Sequence, residues 1–281
     1  MSRITKTFEQ LKRENRTALV GFFSVGDPDF ERSLDIISAA RDAGLDVLEL
    51  GIPFSDPTAD GPVIQRASQR AIQSGMTLEK GLLFVRRLRE KAAGRMAPFH
   101  DLPIIIFSYY NPIIAMGAER FVREAMAAGA DGALVVDLPS ENAGEIMQFV
   151  DKQPGGGREE REFHFIRLIA PTTDPVRRSE ILRAADGFVY CVSRRGVTGK
   201  NTVGNTIDWD ELAREMTAMR AETTVPLCVG FGISTAADVR AISQIADGAI
   251  IGSAFQQVIE ENPDTAKTKI CEMIREFRDA V

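Results

Sequence analysis

Eight apolar runs of strand length recur along the chain, and a segment of helical period separates each from the next. The runs cover Ala18–Ser24, Val47–Leu50, Pro103–Ser108, Gly132–Val136, Phe163–Ile169, Gly187–Val192, Val225–Val229 and Gly248–Ile251. Between them, segments such as Glu31–Ala43, Leu78–Ala92, Glu119–Ala128, Ser140–Val150, Pro175–Ala184, Asp208–Arg220 and Thr235–Ser243 carry apolar residues at helical spacing. Such alternation requires parallel strands joined by helical crossovers. A weak repeat sharpens this. LDVLELG, ADGALVVD, ADGFVYCVS and ADGAIIGS open at Asp46, Asp131, Asp186 and Asp247, on the even-numbered runs. A repeat of two βα units fits a closed (β/α)8 barrel, and 281 residues is an ordinary length for one. A doubly wound open sheet alternates in the same way, but no GxGxxG follows the first run. The expectation is a single α/β barrel domain over residues 1–281. Residues 1–16 form a helical lead-in (Phe8 and Leu11 over Lys6–Arg16) that plugs the bottom.

Composition narrows the partners. The net charge is −6, with acids and bases mixed, and no basic block marks nucleic-acid binding. The longest apolar runs are strand-sized, so no membrane span is expected. The first residues lack the apolar core of a signal peptide. Cys191, Cys228 and Cys271 are far apart and odd in number, as in reduced cytoplasmic proteins. His100 and His164 read as incidental surface residues in connecting segments. The loops Gly94–Asp101 and Gln153–Glu162 each precede an odd strand, on the face away from the expected site.

The segment LELGIPFSDPTADGP (48–62) carries the chemistry. Glu49 is a lone carboxylate near the end of an apolar strand. Burial there raises its pKa and lets it exchange protons near neutral pH. Asp60 follows on a loop rich in Gly and Pro, where a wetter setting would leave it ionised. Two carboxylates pushed apart in pKa are a signature of acid–base catalysis. Other readings stand beside this one: Glu49 as a structural residue, and Asp60 as the N-cap of a helix after Pro62.

Three glycine clusters follow the last three strands: Arg194–Gly199, Gly230–Ser234 and Gly252-Ser253-Ala254. In a barrel these positions form a phosphate site from backbone amides, with a short helix (Ala254–Glu260) opening at Gly252-Ser253. The competing reading is that the glycines only turn the chain.

With these residues in hand, the chain resembles the tryptophan synthase α-subunit family over essentially its whole length. The motifs appear in order: GDP (26–28), LELGIPFSDPTADGP (48–62), YYNP (109–112), VVDLP (135–139), APTT (170–173), SRRGVTG (193–199), GFGIS (230–234) and GSA (252–254). The resemblance implies a retro-aldol cleavage of indole-3-glycerol phosphate, without cofactor or metal. Glu49 would be the shuttling acid–base and Asp60 the acceptor for the ring N–H. Phe22, Leu134 and Phe231 would surround the indole, with Tyr190 beside Glu49. Gly199, Gly232, Gly252 and Ser253 would hold the phosphate. Tyr109 and Asp137 belong near the moving loops. Thr198 would close over the substrate and bond Asp60. Asp56 and Asn111 would meet the partner, a pyridoxal-phosphate β subunit in an α2β2 complex.

Residue by residue, blander readings remain: Phe22 and Leu134 as barrel core, Asp56 and Asn111 as turn formers. Gly21, Ser24 and Arg195 depart from the family pattern, and the segment 200–207 is unusually polar. None removes a catalytic group. Competing functions are a free-standing lyase, a non-catalytic activator of the β subunit, and another phosphosugar barrel enzyme. An epimerase would bring metal-ligand histidines that these motifs lack.

Overall fold

The computed structural model describes residues 1–93, 101–153, 161–193 and 207–281. Nine strand segments form one all-parallel sheet: β1 (Ala18–Ser24), β2 (Val47–Gly51), β3 (Ile104–Ser108), β4 (Gly132–Val135), β5 (His164–Phe165), β6 (Arg167–Ile169), β7 (Val189–Val192), β8 (Leu227–Gly230) and β9 (Gly248–Ile251). The helices around them are α1 (Arg3–Arg13), α2 (Phe30–Asp42), α3 (Pro62–Gln73), α4 (Leu78–Ala93), α5 (Tyr110–Met116), α6 (Ala118–Ala128), α7 (Gly144–Val150), α8 (Pro175–Ala184), α9 (Trp209–Arg220), α10 (Ala236–Ser243), α11 (Ser253–Glu261) and α12 (Ala266–Arg278).

The strand order is β5-β4-β3-β2-β1-β9-β8-β7-β6. Its two ends, β5 and β6, are separated in sequence by Ile166 alone. The fifth run, expected as one strand at Phe163–Ile169, is therefore two segments, because it changes partner midway. Its first half pairs with β4 and its second with β7, which brings the ends of the sheet together.

The period-2 alternation sorts side chains into two cores. Val20, Phe22, Val47, Ile105, Phe107, Leu134, Ile166, Phe188, Tyr190, Cys228 and Ile250 fill the barrel interior. Their neighbours of opposite parity, such as Leu19, Phe23, Leu48, Leu50, Ile104 and Ile106, pack under the helices. Helix α1 begins three residues earlier than the Lys6–Arg16 spacing implied, because Ser2 caps it by accepting from Thr5 N–H. Its buried face (Ile4, Phe8, Leu11) joins the interior core, and the Phe8 and Phe188 rings lie 5.9 Å apart. The lead-in is thus a plug.

The four repeated aspartates serve the same end of the barrel. Asp46, Asp131 and Asp247 accept the N–H of Leu19, Ile104 and Leu227, at the start of the preceding strand, at 2.8, 2.7 and 2.7 Å. Each also pairs with arginine: Asp46 with Arg278, Asp131 with Arg3 and Arg89, Asp247 with Arg220. Asp186 pairs with Arg161 at 2.7 Å and lies 3.6 Å from Nδ1 of His164. His164 is therefore buried on β5, not the surface residue expected, because strand pairing draws it under Asp186. His100 lies outside the described residues, as do residues 94–99 and 154–160 of the two loops.

The helix expected after Pro62 is α3, whereas α5 had no separate expectation. The segment expected as one helix from Ser140 to Val150 breaks into a 3-10 turn (Ser140–Asn142) and α7.

Candidate active site

The carboxyl ends of the strands surround a narrow cavity. Phe22, Asp60, Ile64, Phe107, Tyr190, Phe231, Gly232, Ile233, Ile250, Gly252 and Ser253 line it. The parity of β1 and β2 places Phe22 and Glu49 as register partners facing the barrel interior. Glu49 is 0% exposed, and among the described residues neither of its carboxylate oxygens has a hydrogen-bond partner. Burial pushes its pKa up to about 8. At neutral pH it is mainly a carboxylic acid, with a proton to give.

Asp60 corrects an expectation. It is 8% exposed rather than wet, and burial pushes its pKa up to about 6. The cause is the Tyr109 side chain and the apolar slot, which close over it. Tyr109 Oη donates to Asp60 Oδ2 at 3.0 Å, which pulls the pKa partly back down. The same hydroxyl accepts from Ala59 N–H at 2.9 Å, and the Tyr109 ring packs on Phe54 at 5.0 Å. Asp60 does not cap α3. The cap residue is Gly61, with no side-chain cap bond. The two acids keep the order expected, Glu49 above Asp60, with Asp60 mostly ionised at pH 7.

Aromatic rings set the width of the slot. Phe22 and Phe107 meet edge to face at 5.2 Å, and Tyr190 and Phe231 at 6.0 Å. Glycines make room for them. A Cβ on Gly51 would come within 2.4 Å of the Phe22 ring, and one on Gly230 within 2.3 Å of Tyr190 Oη. Burial, and then the Glu49 and Asp60 carboxylates, push the Tyr190 hydroxyl well above its ordinary pKa. Tyr190 therefore remains a neutral phenol.

Phe231 adopts φ +73°, an uncommon conformation for a side chain of this size, and Gly232 follows at φ +81°. Ser193 Oγ donates to the Phe231 carbonyl and ties the turn to the end of β7. Strain of this kind collects at binding sites. Beside it, Gly252 begins α11 with no side-chain cap bond, so the first amides of the helix are open to a ligand. The neighbouring α10 differs: Thr235 and Asp238 close its N-terminus with a capping box.

The remaining expectations divide. Leu134 is buried in the barrel interior, in register with Phe107, but is not among the residues lining the cavity. Asp137 accepts from Tyr110 N–H at 2.7 Å and so fixes the start of α5. Asp56 and Asn111 are exposed on the same end of the barrel. Thr198 and Gly199 lie outside the described residues, as do Arg195 and residues 200–206. Sequence reasoning missed Phe107, Ile64, Ile233 and Ile250. The parity of Ile105 and Phe107 on β3, and the spacing of Ile64, Ala67, Ser68 and Ala71, were the available signals. Among the described residues, no group of three His, Cys, Asp or Glu side chains is arranged to hold a metal ion. No described helix is long and apolar enough to cross a membrane.

Comparison with known proteins agrees with this geometry. The family model described as tryptophan synthase alpha chain matches residues 8–281. The chain belongs to the tryptophan synthase alpha chain family. A family member from Desulfatibacillum aliphaticivorans is 48% identical over 93% of this chain and 91% of its own. One from Desulfosudis oleivorans is 47% identical over 100% of this chain and 99% of its own. Among solved structures, the tryptophan synthase subunit alpha of Legionella pneumophila str. Paris superposes with a TM-score of 0.85 at 32% identity, covering 100% of this chain and 98% of that one. A Mycobacterium tuberculosis tryptophan synthase structure gives 0.84 at 29% identity, covering 100% and 98%. As an alpha chain, the family is one half of a two-chain enzyme, which implies a β-subunit partner.

Proposed function

We propose that this chain, acting as one barrel domain, cleaves indole-3-glycerol phosphate to indole and glyceraldehyde 3-phosphate. The observation that carries the reading is Glu49: an acid inside an apolar barrel with no hydrogen-bond partner among the described residues, and with a second carboxylate, Asp60, on the adjoining cavity. Glu49 enters as the carboxylic acid and protonates indole C3. Positive charge then spreads onto the ring N–H, where the Asp60 carboxylate accepts the hydrogen bond and balances it. As the bond from C3 to the glycerol carbon breaks, its electron pair returns to the ring. The Glu49 carboxylate takes the proton of the glycerol hydroxyl, which becomes the aldehyde. Glu49 ends as it began, so the cycle needs no redox or group-transfer reagent.

Phe22, Phe107, Tyr190 and Phe231 supply the flat apolar walls, with Leu134 behind Phe107. Gly232, Gly252 and Ser253 hold the phosphate through backbone amides, and Gly199 is assigned there by its motif. Thr198 is proposed to complete the site as a lid. No cofactor takes part in this half-reaction. Pyridoxal phosphate belongs to the β subunit, and the two chains form an α2β2 complex in the cytoplasm, with Asp56 and Asn111 at the junction.

Indole release by the purified chain, with and without a β subunit and beside Glu49→Gln, tests this. Slow release that rises strongly with β and vanishes in the variant is expected. Fast release without β would make the chain a free-standing lyase. No release in either condition would overturn the catalytic reading.

A further inference from the structure

Five side chains absent from the reaction join the two halves of the site. Asp27, on the loop after β1, is completely buried. Arg70 of α3 grips both its oxygens, Nε to Oδ1 at 2.7 Å and Nη2 to Oδ2 at 2.8 Å. The third nitrogen of Arg70, Nη1, donates to Glu260 of α11 at 2.9 Å. Glu260 also receives a two-point bond from Arg66 of α3, at 2.7 and 2.8 Å. Gln256 of α11 is also 0% exposed. With its amide nitrogen toward the carboxylate, it donates to Asp27 Oδ2 at 2.9 Å and accepts from Ser24 N–H at 2.8 Å.

The placement of this network decides what it does. Helix α3 starts at Pro62, two residues after Asp60. Helix α11 starts at Ser253, with Gly252 before it. Arg66 lies in the second turn of α3 and Arg70 in its last, Gln256 in the first turn of α11 and Glu260 in its last. Asp27 and Ser24 tie both to the end of β1, two residues beyond Phe22. The network therefore clamps the bodies of the two helices to each other and to β1, and through them it sets the spacing of their starts, where Asp60 meets the ring and the amides meet the phosphate. Planar guanidinium–carboxylate forks fix angle as well as distance. Buried ion pairs are poor stabilisers compared with apolar packing, so a geometric role accounts better for one placed here.

We infer that the Asp27–Arg70–Glu260 network, with Gln256 and Arg66, positions Asp60 relative to the phosphate-binding start of α11. These five are positioning residues, and the inference rests on the proposed cleavage reaction. A substrate that spans both ends feels their spacing, whereas a fragment that occupies one end does not. Misplacement by about 1 Å costs roughly 10²-fold in rate.

The test compares whole substrate with fragments in the full chain assembled with a β subunit. Glu260→Gln removes the charge that Arg66 and Arg70 share, and Asp27→Asn breaks the buried fork. The expected result is a fall of tenfold or more in kcat/KM on indole-3-glycerol phosphate, mainly in kcat. Indole and glycerol 3-phosphate, titrated separately, should each bind within twofold of the parent. If Asp27→Asn does not fold, Glu260→Gln decides alone, because Glu260 lies at the partly exposed end of the network. Unchanged kcat/KM in a folded variant overturns the inference. So does loss of fragment affinity in step with a lower Tm, which marks a purely structural role. Failure of the parent chain itself to cleave the substrate would instead remove the proposed function.

Discussion

The aspartates at the amino end of the barrel and the two acids of the slot have opposite surroundings. At the amino ends of the strands, Asp46, Asp131, Asp186 and Asp247 all have arginine partners, and three also take a strand N–H. In the slot at the carboxyl ends, and among the described residues, Glu49 has no hydrogen-bond partner and the Asp60 carboxylate has only the hydroxyl of Tyr109. Burial, with no guanidinium beside either acid to offset it, pushes Glu49 up to about 8 and Asp60 up to about 6. Carboxylates thus brace the strand entries at one end, while the two proposed for the reaction sit at the other without a cation among the described residues.

The strongest way to break this contrast is Glu49→Gln, which keeps the shape and removes the proton. Turnover is expected to fall by about 10³-fold or more, since positioned acid–base groups contribute about 10²–10⁴-fold. Stability should move the other way. The folded pKa of Glu49, about 8, stands above its unfolded value of 4.5. Relative to acid conditions, the parent loses stability as pH rises from 4.5 and has lost it fully above 8. The variant escapes that loss. Its Tm should exceed the parent's at pH 8 and lose the advantage near pH 4, as read by calorimetry at the two pH values.

Asp60→Asn comes next, with an expected fall of about 10²-fold in kcat from the lost charge opposite the ring N–H. The pH profile sharpens the assignment. An ionised Asp60 and a protonated Glu49 make kcat/KM bell-shaped, with limbs near 6 and 8. The variant should lose the acid limb and keep the alkaline one. Loss of the alkaline limb instead would exchange the two roles.

The contrast between the ends was half legible beforehand. The Asp repeat announced four equivalent strand entries, and Glu49 stood out because a carboxylate is costly in a strand of Val and Leu. What sequence spacing does not reveal is partnership across the chain. Nothing local to Asp46 points to Arg278, and nothing local to Asp27 points to Arg70 and Gln256. The burial of Asp60 was missed for the same reason, since Tyr109 reaches it from 49 residues away. His164 was misread because it was assigned to a connecting segment although it falls within the run Phe163–Ile169, and its pairing with β4 decides its burial.

Tyr109→Phe tests that long-range contact with a smaller effect. The lost hydroxyl stops lowering the Asp60 pKa, so the acid limb should move above pH 6. It also strands the N–H of Ala59. The rate should fall by about tenfold at pH 6 and less at pH 8, consistent with the loss of one or two bonds of about 1 kcal/mol each. An unmoved limb would show that Tyr109 braces the loop without tuning the acid.

The smallest expected effect on activity belongs to the other end. Asp131 is 2% exposed in its side chain, bonded to Arg89 and Arg3 and to the N–H of Ile104. Asp131→Asn removes the charge of a buried pair with Arg89, itself 11% exposed. Breaking such pairs costs about 3–5 kcal/mol. In a chain of this size that lowers Tm by roughly 10 °C, at about 2–4 °C per kcal/mol. Below the transition, kcat/KM should stay within twofold of the parent, because β4 and β3 run the length of the barrel between this aspartate and the slot. A large fall in kcat/KM with an unchanged Tm would mean that the amino-end pairs reach the chemistry after all, and the division of labour between the two ends would have to be given up.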